Sequence, residues 1–315
     1  MDSDERILKK PILFCIFNRL DVTKQSFECI RKIKPQKLYI ACDGPRNFKE
    51  GEEEKVKEVI EYVEKKIDWY CQVHKNYSEV NLGCRERISS AISWALEHED
   101  DIIIIEDDIL PNEDFFEFCS EMLDYHKDDE EVMMVSGTNF VKKYSFKEPY
   151  IFASFPIIWG WATWKRAWKY YDDSMSDWPE VRKSRKLNYL ASWPSRCFLY
   201  WNYKYVYNYE INSWGFVWYY TMHKMHGLGI VPRENLVSNC GFESEQSTHT
   251  KGKSKYDFSY GTANFPIEKN NNIVRDINYD KCYIDIDYSS KRALFVIFIK
   301  TVLFIPRKIK RIFQK

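Results

Sequence analysis

The sequence predicts an α/β fold in which helices flank a mostly parallel sheet. Short apolar runs of strand length alternate with stretches of helical period through the first 140 residues. Pro11–Phe17 and Ile102–Ile105 are continuously apolar, as strands buried on both faces are. A chain of 315 residues, 44% hydrophobic and 30% charged with only 11 Gly and 11 Pro, has ample core material. It lacks the bias of a disordered or collagenous chain.

Pro11–Phe17 reads as the first strand, and Asp21 is placed to cap a helix running to about Ile33. Lys37–Cys42 is a second strand, closed by Asp43-Gly44-Pro45. Val56, Val59, Ile60, Val63 and Ile67 recur at helical spacing, and residues 68–75 form a third strand. Ile88, Ala91, Ile92 and Ala95 mark another amphipathic helix. Ile102–Ile105 ends abruptly in Glu106-Asp107-Asp108; a helix follows Pro111, and Glu131–Val135 is a further strand. Beyond residue 140 the composition changes: nine of the 11 Trp lie between 159 and 218, and the period is hard to read. Residues 251–290 are polar and Asn-rich and read as loops. The expected organisation is an α/β half over 1–140, a second half of the same unit over 141–290, and a tail over 291–315.

The 47 basic and 47 acidic residues cancel, which argues against a duplex nucleic-acid binder. The cancellation hides two unlike parts. Residues 291–315 hold eight cations and no acid, leaving 39 basic against 47 acidic residues in the body. Nine cysteines without a C-x-x-C pair predict neither a disulfide framework nor a structural zinc site, and a reducing compartment. The charged start MDSDERILKK predicts no secretory signal, and no apolar run is long enough to predict a spanning helix.

Four constellations fall at the same edge of the predicted sheet. Glu106, Asp107 and Asp108 at the mouth of a buried strand repel one another, and a divalent cation with its preference for hard oxygen ligands relieves that repulsion. If the segment stays extended, Glu106 and Asp108 face one side and Asp107 the other. The alternative is a solvated acidic loop. Phe17-Asn18-Arg19 offers an amide and a guanidinium to a nucleotide or phosphate, or is a loop with a surface arginine. Asp43 could accept from a base or ribose, although Asp-Gly-Pro is also ordinary turn chemistry. Asn81-Leu82-Gly83-Cys84-Arg85 opens a helix where a cation and free N–H groups favour an anion.

PILFCIFNR, IACDGPR, NLGCRERISSAISW, IIIIEDDILP, WGWATWKRAW and NLVSNCGFESEQSTHT, in this order, resemble a bacterial family of nucleotide-diphospho-sugar glycosyltransferases. That family has the GT-A fold, a Rossmann-like sheet, and is related to the N-acetylglucosaminyltransferase I kind. The resemblance spans roughly residues 11–250. It implies transfer of a sugar from a nucleotide-sugar donor, with Mn²⁺ or Mg²⁺ on the diphosphate. On that pattern Asp108 is the direct metal ligand, with Glu106 and Asp107 near the ribose and donor sugar. Phe17, Asn18, Arg19 and Asp43 line the nucleotide, and Arg85 approaches the donor. His249 matches a C-terminal histidine that completes the metal or diphosphate site, or is a surface-loop histidine. Members often carry an acid where this chain has Asn212 and Gly215. The base for an inverting displacement is then sought at Glu210, with Asp173 and Asp172 as further candidates, and retention stays open.

Trp161, Trp164 and Trp168 recur at helical spacing, which favours core for most of these rings. Trp161 and Trp214 are the candidates for stacking on an acceptor sugar. The tail has 13 mostly apolar residues, Ala293–Ile305, followed by Pro306 and a cationic cluster. It reads as an interfacial helix on an anionic cytoplasmic leaflet, or as a core helix with a solvated basic end. The expected protein is a metal-dependent glycosyltransferase, peripherally attached to the inner face of the cell membrane. It would act on a glycan or lipid-linked glycan in surface polysaccharide assembly. A sugar-phosphate nucleotidyltransferase is the rival enzyme, but it wants a Gly-rich loop after its first strand. An inactive membrane-associated glycan-binding protein is the non-enzyme alternative.

Overall fold

The computed structural model describes residues 8–141, 144–193, 195–241 and 259–287. The first half alternates strictly: β1 Ile12–Ile16, α1 Leu20–Ile33, β2 Lys37–Cys42, α2 Glu52–Lys66, β3 Gln72–Tyr77, α3 Gly83–His98 and β4 Asp101–Glu106. After the short β5 Ile109–Pro111 come α4 Glu113–Tyr125 and β6 Val132–Ser136. The second half holds β7 Tyr150–Ala153, β8 Trp161–Trp164, α5 Lys165–Trp168, α6 Trp178–Ser184, α7 Ser195–Tyr207, α8 Trp214–Lys224, β9 Leu228–Pro232, β10 Val237–Asn239 and α9 Ile277–Asp287.

Eight strands form one sheet in the order β3-β2-β1-β4-β8-β6-β9-β7, so both halves contribute to it. All but β8 and β7 run in one direction, which makes the sheet mixed but mostly parallel. The continuous apolar runs of β1 and β4 are central and buried on both faces. Phe14, Ile40, Ile103 and Ile105 pack with α1, α2 and α4. Leu13, Ala41, Ile102 and Ile104 pack with α3, α5 and α8 on the other face. A third cluster, with Trp178, Tyr203, Val217 and Tyr279, joins α6 to α9 beside β7 and β9.

Several expectations are corrected. Asp21 lies inside the first turn of α1, with Arg19 at the N-cap. The third strand is shifted to 72–77. Trp161–Trp164 is a strand, not helix, so Trp161 enters one face of the sheet and Trp164 the other. Residues 277–287, expected as loop, form α9. Its Asp280, 1% exposed, accepts from Ser154 N and Phe155 N and pairs with Arg275 Nε at 2.6 Å, which fastens α9 to the end of β7. No helix among the described residues is long and apolar enough to cross a membrane. His249 and the tail 291–315 lie outside the described residues.

Candidate active site at the carboxyl edge of the sheet

β2 and β4 flank β1 in parallel, so the order of connection reverses between β1 and β4. At such a switch point the loops leaving the two strands diverge and open a crevice. Arg19 follows β1, and Asp107 and Asp108 follow β4; they meet across this opening. Arg19 Nε donates to Asp107 Oδ2 at 3.2 Å, and Nη2 donates to both Asp107 Oδ1 and Asp108 Oδ2, the latter at 3.0 Å. The chain therefore turns after Glu106 and one guanidinium spans both aspartates, which corrects the expected alternation of faces.

Glu106 is the register neighbour of Cys15, and its carboxylate takes no hydrogen bond or ion pair from a described residue. Burial, then the charges of Asp108 and Asp107, push the Glu106 carboxyl up to about 8. Burial also pushes the Asp107 carboxyl up, with Arg19 pulling it back. Three carboxylates thus face one guanidinium. Asp108 O accepts from Cys240 N at 3.0 Å, because β10 pairs antiparallel with β5 and brings the chain back. Gly241 lies so close that a Cβ there would collide with Asp108 Oδ2. The approach of 240–241 to Asp108 was invisible in the sequence, since 132 positions separate the partners.

The nucleotide-side candidates divide. Asp43 accepts from Gly44 N, Asn81 Nδ2, Leu82 N and Gly83 N at 2.8–3.0 Å, so it locks the β3–α3 loop onto the end of β2. That lock needs glycine at 44, where a Cβ would stand 2.5 Å from Val80 C. Both oxygens of Asp43 already accept from the protein's own donors. Asn18, 7% exposed, donates to Glu52 Oε1 at 2.7 Å. Glu52 is also clasped by Arg46, whose guanidinium stands 5.5 Å from the Phe17 ring centre. Arg46 and Glu52 were not singled out in the sequence. Arg46 directly follows Asp43-Gly44-Pro45 and closes the IACDGPR run.

Arg85 does not reach the acids. Its Nε pairs with Asp173 Oδ1 at 2.7 Å, Nη1 donates to Val206 O, and the guanidinium stacks 4.3 Å from the Tyr209 ring centre. Arg85, the expected donor-side arginine, and Asp173, a candidate base, are thus paired with each other. Asp172, despite a burial cost, is held down to about 2 by hydrogen bonds from Ser174 and Ser176. Glu210 is exposed on the α7–α8 loop and accepts from Asn208 Nδ2 at 3.2 Å. The same loop carries Asn212, whose Nδ2 lies beside Gly83 at the start of α3.

Trp161 and Trp214, 1% and 3% exposed, stack on each other with centroids 5.5 Å apart. They are core rings, and the expectation that they stack on acceptor is corrected. Among the described residues no three His, Cys, Asp or Glu side chains gather closely enough to hold a metal by themselves.

No family model matches the chain, and no curated protein sequence matches it. Among solved structures, mannosyltransferase PcManGT from Pyrobaculum calidifontis in complex with GDP-Man and Mn²⁺ is similar at 12% identity and a TM-score of 0.37, over 71% of this chain and 70% of that one. S. aureus TarS 1–349 is similar at 10% identity and a TM-score of 0.33, over 50% of this chain and 47% of that one. Likeness at this level assigns no residue roles.

Proposed function

We propose that the protein is a metal-dependent glycosyltransferase of the GT-A type. It would move a sugar from a nucleotide-diphosphate sugar to a glycan or lipid-linked glycan in bacterial surface polysaccharide assembly. The observation that carries the reading is the meeting of Arg19, Glu106, Asp107 and Asp108 across the β1/β4 switch point. The donor set suits Mn²⁺ or Mg²⁺: all hard oxygen, with Glu106 unpartnered and Asp108 Oδ1 uncommitted among the described residues. Such ions are bound through one or two carboxylates plus substrate phosphates, so a site without a three-ligand cage fits them. Asp108, assisted by Glu106, would hold the ion, which when bound neutralises the departing diphosphate.

The nucleotide would lie against Phe17 and Arg46, walled by the loop that Asp43 fixes. Glu210 would take the proton of the acceptor hydroxyl as its oxygen bonds to the anomeric carbon and the nucleoside diphosphate leaves. The basic tail 291–315 would keep the enzyme near a lipid-linked acceptor. Asp108→Asn is expected to lower metal-dependent donor turnover at least 100-fold while the melting temperature stays near that of the wild type. Undiminished transfer by that variant would sink the assignment. A thermal-shift screen of UDP- and GDP-sugars with and without Mn²⁺ tests donor and metal together, because ligands of the folded state raise its stability.

A further inference from the structure

We infer that Arg19 is a resident counter-ion. It gives up Asp108 to an incoming divalent cation and, still held on Asp107, offers the N–H so freed to the phosphate anion that arrives with it. The inference rests on the glycosyltransferase reading above. Three observations carry it.

The first is the asymmetry of the clasp. Asp107 receives Nε and Nη2 through both of its oxygens, whereas Asp108 receives Nη2 alone, through one oxygen at 3.0 Å. The guanidinium therefore keeps a two-point hold on Asp107 while releasing Asp108. Asp108 is also the more open of the two, its side chain 19% exposed against 8% for Asp107. A cation arriving from solvent meets Asp108 first, and like charges sharing one carboxylate repel.

The second is the seat of Arg19 itself. It occupies the N-cap of α1, with no side-chain cap hydrogen bond. Thr23 donates to Arg19 O from its N at 3.0 Å and from its Oγ1 at 2.6 Å, which ties the Arg19 backbone into the first turn of α1. A helix N-terminus disfavours a cation and favours an anion. Arg19 is held there against the helix dipole by the two aspartates, and an arriving phosphate would satisfy both the helix end and the N–H that Asp108 gives up.

The third is that neighbouring guanidiniums are engaged elsewhere. Arg46 is held by Glu52, and Arg85 by Asp173 and Val206 O. Of these three, Arg19 is the one bonded to the acids that would hold the cation. Cation and phosphate then bind as a pair: either alone is opposed, and together each completes what the other displaces.

Mn²⁺ binding to the full chain, followed by Mn²⁺ electron paramagnetic resonance with and without UDP or GDP, tests this in wild type, Arg19→Gln and Arg19→Lys. Arg19→Gln should bind Mn²⁺ alone about tenfold tighter than wild type, and the tightening by UDP or GDP should shrink by a similar factor. Arg19→Lys, a point charge unable to span both aspartates, should bind Mn²⁺ alone about threefold tighter, and it decides the matter if a melting curve shows Arg19→Gln unfolded. Unchanged or weaker Mn²⁺ binding in the folded variants, with wild type still tightened by nucleotide, overturns the exchange and leaves the glycosyltransferase reading standing. No Mn²⁺ binding by wild type under any condition overturns both.

Discussion

Asp43 spends its carboxylate on four donors from two loops, so removing it is a structural event before it is a binding one. Asp43→Ala leaves buried N–H groups unpaired and is expected to cost about 2–4 kcal/mol in urea unfolding, with Asp43→Asn recovering part of the loss. Donor affinity should fall along with it, because the loop loses its anchor. The residue types of the site were legible: an arginine after β1, acids after β4 and an aspartate after β2 all lie at one sheet edge. Which oxygen is already spoken for was not. The partners of Asp43 lie up to 40 positions away and Asp173 lies 88 from Arg85, so only the folded chain shows that both are committed.

At the scale of elements, the Trp-rich segment shows where pattern reading fails. Spacings of 3 and 4 between Trp161, Trp164 and Trp168 suggest one helical stripe, yet β8 ends at Trp164 and a single helical turn follows. Trp161 packs against Trp168, Trp214 and Trp218, the rings that seat α5 and α8 on the sheet. Trp161→Ala and Trp214→Ala are each expected to cost about 3–5 kcal/mol in denaturant unfolding through lost burial and a residual cavity. Trp161→Phe should be much milder. If either alanine variant kept full stability and lost only glycan binding, the core assignment would be wrong. The alternation of β1, β2, β4 and β6 with their helices was readable because parallel strands buried on both faces are continuous apolar runs, whereas the polar, half-exposed β3 was placed a few residues off. β5, β7 and β10 are only three or four residues each, too short to carry a period, and their pairing depends on partners far along the chain.

The molecule as a whole should show a pH dependence set partly by His223. Its Nδ1 lies 2.6 Å from Tyr203 Oη and its Nε2 2.7 Å from Ser154 O, joining α8 to α7 and to the end of β7. Complete burial, opposed by the bond to Ser154, lowers the imidazole to about 3. Between about 6.5 and about 3 the unfolded chain takes up a proton that the folded chain refuses, so stability falls as pH drops through that window and this contribution ends below it. The slope is up to about 1.4 kcal/mol per pH unit. Urea unfolding between pH 7 and 4 should show a flatter pH profile for His223→Gln than for wild type, whatever its absolute stability.

The position of β8 between β4 and β6 has a consequence for synthesis. Strand β4 is complete when residue 106 has been made, but the neighbour that covers its far edge comes from residues 161–164. Until then Ile102–Ile105 presents unpaired backbone along a strongly apolar strand, the kind of edge that recruits other chains. The nascent chain therefore passes through a vulnerable interval after its acidic cluster exists and before its sheet can close. A fragment ending at residue 140 would make that interval permanent: it carries Arg19 and all three acids, yet exposes the strand that bears them to aggregation.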